Sequence, residues 1–449
     1  MENENYYFSM ITLYFLFIII FLLIFFNKIT TKKQTLKSVP VVDNNLLFSG
    51  HAINFKKDII SFITDSYFRF GSIFQIQIYN KKFVILCDKN YCQEYYNLSE
   101  DKMSLYDVLE RLFFKDAFCD QNYFFEQMVK FVKKKIVLFR NHNIISIINQ
   151  QIFKFVDFSK KEFENKINLN DHIINCVARI NMKCFVGIEM NQDFFDLLIN
   201  FIKTLNKAMF LTDYQPKFIL KLTIKKTLKK YRRLLTSKLS PEIESYRLDK
   251  SKNNSIIIRE AINYIDEYTK KPFSNEQIGD IIIFMLHVST ENTSLAISSV
   301  LTDLTLYSYW DTLQKELFDL KLEEINNQKL LENCLMESAR INTHIFVSNR
   351  KPKSNIVLGD HLIGKVDSVV ICAPMLMHYG EANKYFKEPE IYNPNRFYDV
   401  KNKWQNILTW DSLLVYLKFI FLDKIIHYLQ LFIIYSQNNN PFFLYFSIH

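Results

Sequence analysis

Leu331–Arg340, LENCLMESAR, decides how the rest of the chain is read. Leu331, Leu335 and Met336 recur at helical spacing, so one side of this segment is predicted to be buried. Glu337 and Arg340 stand three residues apart on the same helix, within reach of each other. Such a pair alone adds about 0.2–0.5 kcal/mol and identifies nothing. The chain also contains Glu244-Ser245-Tyr246-Arg247, of the same form, and chance supplies about one such match at this length. The sequel separates the two. Arg350 follows Arg340, then a hairpin-like stretch, His378, and finally Pro394-Asn395-Arg396-Phe397.

A sequence of 449 residues allows one large or two ordinary domains, with ample chain for a core. It holds 42 Phe and 25 Tyr against only 7 Gly and 9 Pro, the usage that an AT-rich coding sequence yields. The formal charge of +9 is modest for this length. No dense basic stripe marks a nucleic-acid footprint, so nucleic acid is not expected among the partners. Cysteines 87, 92, 119, 176, 184, 334 and 372 are scattered without C-x-x-C spacing, which suits free thiols in a reducing compartment. None follows Cys372.

In its order of Glu337-x-x-Arg340, Arg350, His378 and Pro394-x-Arg396-Phe397, the chain resembles the cytochrome P-450 family of haem-thiolate monooxygenases. The resemblance covers residues 46–410 and implies a cytochrome P-450 fold, mainly α with small β portions. It implies that Glu337, Arg340 and Arg396 form a buried ion triad. A carboxylate buried between two guanidiniums is costly to desolvate and costlier to break, so the triad is expected to fix register more than to add stability. The resemblance also assigns Arg350 to a haem propionate, a charge-assisted pairing suited to guanidinium. Gly50-His-Ala-Ile-Asn-Phe55 and Phe70-Gly71-Ser-Ile-Phe74 are most similar to the branch holding sterol demethylases, sterol 7α-hydroxylases and prostacyclin synthase.

Tyr7–Phe26 carries no charge and is long enough to cross a bilayer core as a helix; a buried core helix is the other reading. Glu2 and Glu4 precede it and Lys28, Lys32, Lys33 and Lys37 follow, so the body is expected on the cytosolic side. Residues 1–33 are read as a single-pass anchor, in the endoplasmic reticulum by resemblance, and 34–410 as the P-450-like domain. Phe74–Ile78 alternates with period two, Asn80-Lys-Lys82 is expected to turn, and Phe83–Leu86 to return as a second strand. Lys130, Lys133, Lys134 and Lys135 share a helical pattern. Lys134 fits a point charge for a propionate, as the resemblance implies, and equally a solvated basic face. Lys221–Lys238 reads as an exposed basic helix or one lying on lipid headgroups. Ile356–Leu358 and Ser368–Cys372 read as paired strands.

Ser274 with Gln277 forms a capping-box signal ahead of Ile281–Leu286, which is apolar on all sides, as in a helix through the middle of a fold. A polar notch, Ser289-Thr290-Glu291-Asn292-Thr293-Ser294, interrupts it; on periodicity alone His287, Glu291, Ser294 and Ser298 make an amphipathic stripe. By resemblance the notch is the family's oxygen-activating segment, with Glu291 at its acid and Thr293 at its final hydroxyl. Ser289 replaces the family's glycine, and Asn292 replaces the threonine that helps deliver protons. Asn292 would have to divide donor and acceptor roles between its amide nitrogen and carbonyl oxygen.

The resemblance stops after Ile407-Leu408-Thr409-Trp410. Where the family continues Phe-x-x-Gly-x-x-x-Cys-x-Gly, this chain has Trp410, Leu413 at the glycine and Leu417 at the cysteine that ligates iron. Residues 411–449 form an aberrant tail without cysteine or glycine, of the kind a misread intron or frameshift yields. No metal ligand is read from the sequence. The family role is haem-dependent oxygen insertion into an apolar, sterol-like small molecule, with electrons from an NADPH-cytochrome reductase at the membrane. Without the thiolate, the chain as written is expected to be inactive. The alternatives are a non-catalytic, membrane-anchored haem- or lipid-binding relic, a pseudogene product, or a membrane-associated scaffold without ligand.

Overall fold

The computed structural model describes residues 36–43, 49–120, 123–135, 147–148, 150–151, 169–212, 217–249, 255–318, 329–342, 346–372 and 384–398. The apolar run Tyr7–Phe26, His378, Trp410 and the tail with Leu417 lie outside the described residues.

The strands are Lys37–Ser38 (β1), Ile73–Ile78 (β2), Lys81–Leu86 (β3), Met103–Ser104 (β4), Phe346–Pro352 (β5), Ile356–Leu358 (β6), His361–Ile363 (β7) and Ser368–Cys372 (β8). They form a five-stranded sheet of order β2-β3-β8-β5-β4 and a three-stranded one of order β1-β7-β6. In β2, Phe74, Ile76 and Ile78 are buried while Gln75 and Gln77 are half-buried, as the alternation requires. The hairpin turn falls earlier than expected. Pairing continues to Ile78↔Lys81, so Tyr79 and Asn80 make the turn, with Tyr79 at φ 51°. The pairing of Ile356–Leu358 with Ser368–Cys372 is also corrected. β6 pairs with β7 instead, because Gly359 adopts φ +57° and lets the chain reverse after Leu358. β8 lies between β3, parallel to it, and β5, antiparallel.

The helices are Ala52–Lys57 (α1), Ile59–Phe70 (α2), Lys89–Asn97 (α3), Tyr106–Arg111 (α4), Phe114–Phe118 (α5), Phe124–Lys135 (α6) and Leu169–Val186 (α7). They continue with Gln192–Thr212 (α8), Lys217–Leu248 (α9), Ile256–Ile262 (α10), Asn275–Leu306 (α11), Trp310–Phe318 (α12) and Lys329–Ile341 (α13). The fold is thus mainly α with small β portions.

The core is built on α11. Its capping box is formed: Gln277 N donates to Ser274 Oγ at 3.2 Å, and Ser274 N donates to Gln277 Oε1 at 2.8 Å. The run from Ile278 to Thr290 is buried on every side. The helix is long and apolar enough to cross a membrane, but 72% of that window is buried in the protein, as a central core helix requires. α7, α9 and α13 pack around it. Gly279 permits the α9 contact, since a Cβ there would lie 2.9 Å from Thr236 Cγ2.

On α9, Leu228, Arg232, Leu235 and Leu239 are fully buried along one stripe, while Lys226, Lys230, Arg233 and Lys238 are exposed. Arg232 joins α9 to α11 and to the segment that follows α5. It donates to Asp120 Oδ2 and Glu276 Oε1, both at 2.6 Å, and to Asp280 Oδ2 at 3.3 Å. Burial pushes the Asp280 carboxyl well above the usual range, with Arg232 opposing the shift.

Candidate functional site

α13 buries Leu331, Cys334, Leu335 and Met336, and the same turns carry Glu337 and Arg340 into the interior, both 0% exposed. Arg340 grips the carboxylate in two places, Nε to Oε2 at 2.8 Å and Nη2 to Oε1 at 2.7 Å. Arg396 Nε donates to the same Oε1 at 3.0 Å, as does Asn393 N at 2.8 Å. One carboxylate therefore faces two guanidiniums. Backbone carbonyls absorb the remaining donors. Arg340 reaches Pro389 O and Ile391 O, and Arg396 reaches Lys387 O, Glu388 O and Ile391 O. Arg396 belongs to a short 3-10 turn, Pro394–Phe397, whose start is capped by the Asn393 side chain on Asn395 N at 3.1 Å. The second pair of the same form behaves differently. Glu244 accepts from Asn275 Nδ2, and Arg247 donates to Asn275 Oδ1 and Phe273 O.

In the notch of α11, Ser289 Oγ donates to Met285 O at 2.5 Å, Asn292 Nδ2 to Val288 O at 2.9 Å and Ser294 Oγ to Thr290 O at 2.6 Å. Each polar side chain closes onto the carbonyl one turn back. That bond engages a donor of Asn292, while its Oδ1 remains the acceptor side of the amide. Thr293 is buried. Glu291 accepts from Asn206 of α8, and Thr290 Oγ1 accepts from Asn181 Nδ2 of α7 at 3.2 Å. Burial raises the Glu291 carboxyl, and the Asn206 bond opposes the shift. His287 Nδ1 lies 3.7 Å from Glu291 Oε2. Its ring packs on Phe114 and Phe118, and burial pushes its pKa down to about 4, so it is neutral at pH 7. Further along the same helix Leu295 is 40% exposed. Sequence reasoning placed His287 and Glu291 on one side but missed Asn206 and Asn181. These come from other helices, and no local spacing announces them.

Arg350 is buried, but its guanidinium is held by carbonyls. Nη1 donates to Tyr95 O at 3.0 Å, and Nη2 donates to Leu98 O at 2.8 Å and Met103 O at 2.5 Å. It lies over the Tyr95 ring and 4.0 Å from Glu100 Oε2. It thereby ties the end of α3 to β4. On α6, Lys130 pairs with Glu126 and Lys135 with Glu260, while Lys134 is exposed.

All seven cysteines are buried, and Cys372 sits within β8. Burial pushes the Cys119 and Cys334 thiols up to about 12 and Cys92 higher still, the opposite of what a thiolate ligand needs. Among the described residues, no cluster of three or more His, Cys, Asp or Glu side chains could hold a metal ion.

Comparison with known proteins agrees with this arrangement. A probable lanosterol 14-alpha demethylase of Acanthamoeba polyphaga mimivirus is 36% identical over 380 residues, covering 82% of this chain and 53% of that protein. The chain thus spans about half the length of this relative. The lanosterol 14-alpha demethylase of Bos taurus is 22% identical over 388 residues, covering 80% of this chain and 73% of the other. Retinoic acid bound cyanobacterial CYP120A1 shares the fold, with a TM-score of 0.66 at 15% identity over 89% of this chain and 92% of the other. Residues 40–410 match the family profile named Cytochrome P450. The chain that buries Glu337 between Arg340 and Arg396 therefore belongs to the cytochrome P450 family, whose cofactor is haem.

Proposed function

We propose that this chain is a membrane-anchored P450 of the sterol demethylase branch that, as written, does not carry out haem-thiolate oxygen insertion. The observation that carries the second half is Leu417 at the family's cysteine position, with no cysteine after Cys372. Leucine cannot push electron density onto iron, and the thiolate does so to favour O–O cleavage. Cys372 ends β8, paired with Phe346 of β5 and buried, so it reaches a proximal face only by undoing the sheet. The first half is supported by the likeness to lanosterol 14-alpha demethylases and by the apolar run Tyr7–Phe26 within residues 1–33.

In this reading, 34–410 is the P450 domain and 411–449 a tail that replaces the ligand loop. An apolar, sterol-like molecule is the substrate class, and the endoplasmic reticulum membrane and an NADPH-cytochrome reductase are the surroundings that a restored enzyme would use. Glu291, Asn292 and Thr293 occupy the proton-delivery segment. There Glu291 is the group suited to hold a proton, because burial favours its neutral form. Arg350 and Lys134 remain the candidates for propionates, Lys134 as an exposed point charge.

A reduced carbon monoxide difference spectrum on purified protein tests the reading. No red-shifted thiolate band is expected, and such a band from this same sequence would refute it. A transcript that restores Gly-x-x-x-Cys after Trp410 would locate the fault in the gene reading. A second reading, a non-catalytic membrane lipid binder, is favoured by the intact Glu337 triad and core. It predicts a folded protein that retains lipid on purification and shows no haem absorbance.

A further inference from the structure

α9 and α11 touch where Gly279 faces Thr236, and the next residue on α11 is Asp280. Charges around that contact recur one helical turn apart: Asp116 and Asp120 in the segment 114–120, Lys225, Lys229 and Arg232 on α9, Glu276 and Asp280 on α11. Lys225 Nζ meets Asp116 Oδ1 at 2.7 Å, and Lys229 Nζ meets Asp120 Oδ1 at 3.1 Å. Arg232, at 0% exposure, is shared by Asp120, Glu276 and Asp280.

The three carboxylates are not equivalent. Asp120 is 32% exposed and also lies 3.7 Å from Arg233 Nη2, and Glu276 is 56% exposed, so water and further cations support both as anions. Asp280 is 4% exposed. Its Oδ2 meets Arg232 Nη1 at 3.3 Å, but its Oδ1 is buried without a hydrogen-bond partner among the described residues. Arg232 Nε, also without a partner, does not reach that oxygen. The other groups that face Asp280 are Glu276 on its own helix and Asp120, both of like sign, and the thiol of Cys119. One guanidinium does not neutralise three carboxylates where water is excluded, and a buried anion with an unmet oxygen is costlier than the neutral acid.

We infer that Arg232 latches α9 and the segment 114–120 onto α11 only while Asp280 carries a proton. Loss of that proton sets a third anion beside Glu276 and Asp120, and the cluster relieves the repulsion by parting and admitting water. The latched segment lies over the polar notch, since the Phe114 and Phe118 rings pack on His287, one turn before Glu291. Burial raises the Asp280 carboxyl, so the latch is complete at low pH and is lost as pH rises through the raised value. The device belongs to the chain alone and does not depend on the function proposed above.

Two measurements on the full chain in nonionic detergent test it. In infrared difference spectra at about pH 6, where ordinary carboxylates are ionised, wild type should show a protonated-carboxyl stretch that Asp280→Asn lacks. Hydrogen exchange, corrected for the intrinsic rate, then follows peptides 114–120 and 225–240 from about pH 6 to 9. Above the midpoint their protection should fall by up to about tenfold per pH unit, the slope of one proton, while α7 keeps its own. Asp280→Asn should flatten this dependence, and Asp303→Asn, another buried carboxyl on the same helix, should leave it unchanged. Glu276→Gln, at an exposed position, removes a like charge that faces Asp280 and should move the midpoint to lower pH. A missing Asp280 infrared band, the same pH dependence in Asp280→Asn, or a Glu276→Gln midpoint that stays or rises would each overturn the inference. Parallel loss of protection in α7 would do the same, because the whole fold would then be opening.

Discussion

Glu337→Ala tests whether the buried triad is different in kind from a surface ion pair. The carboxylate is fully buried and accepts from four donors, two on Arg340, one on Arg396 and the Asn393 amide. Truncation removes the carboxylate and leaves the Arg340 guanidinium at 0% exposure, against the carbonyls of residues 389 and 391 and the Phe386 ring. Arg396, with 10% of its side chain exposed, recovers part of its loss to water. Breaking a buried pair by removing one partner costs about 3–5 kcal/mol, because the surviving charge stays buried. Glu244→Ala is the matched control, since its carboxylate is exposed and accepts from Asn275 alone; it should cost well under about 1 kcal/mol. In urea melts at fixed pH, with slopes of about 1–3 kcal/mol per molar or somewhat more for a chain of this size, the triad variant should fall by about 1 M or more. The control should barely move. Glu337→Gln keeps shape and one acceptor, so its difference from Glu337→Ala separates charge from packing. Equal shifts from Glu337→Ala and Glu244→Ala would refute the reasoning.

Burial raises the Asp303 carboxyl from its ordinary 3.8 to about 6, so its stabilisation is full below about pH 4 and is lost as pH rises through 6, on the order of 2–3 kcal/mol by pH 7. Asp303→Asn should therefore gain on wild type between pH 4 and 7 in parallel melts; a constant difference would exclude this assignment. Gly359→Ala and Gly71→Ala both place a side chain at positive φ, at about 1–3 kcal/mol each. Only the former collides with the Tyr91 ring, so its melting temperature should drop further; equal drops would remove the steric argument. If Tyr7–Phe26 anchors the chain, alkaline carbonate should leave the protein in the membrane pellet, and its release would contradict an integral anchor.

Those parts of the molecule that depend on local spacing were legible in the sequence. Ser274 and Gln277 announce the start of α11, Phe74 to Ile78 alternate as a strand, and Glu337 and Arg340 share a face three residues apart. Strand partners were not legible, because a one-residue difference in turn chemistry redirects a whole pairing. Gly359 at φ +57° decides that β6 folds back on β7, and nothing in Ile356–Leu358 itself carries that information. Contacts between distant helices were equally silent. Arg232 collects carboxylates from positions 120, 276 and 280, and Glu291 takes its hydrogen bond from position 206.

Arg350 and Arg396 show how far a matched arginine carries meaning. Both spend several donors on backbone carbonyls. For Arg396 the remaining Nε donor meets Glu337, so charge and geometry are completed inside the fold. For Arg350 the closest carboxylate oxygen, on Glu100, lies at 4.0 Å and on a partly exposed side chain. Its three carbonyl bonds join α3 to β4, which gives the arginine a reason to be present even where no propionate is bound. An arginine at that position therefore supports the fold and leaves cofactor binding open. Loss of Glu337, by contrast, strands a buried cation. The ion triad is thus a constraint on the fold itself, since one buried carboxylate joins α13 to the Pro394–Phe397 turn.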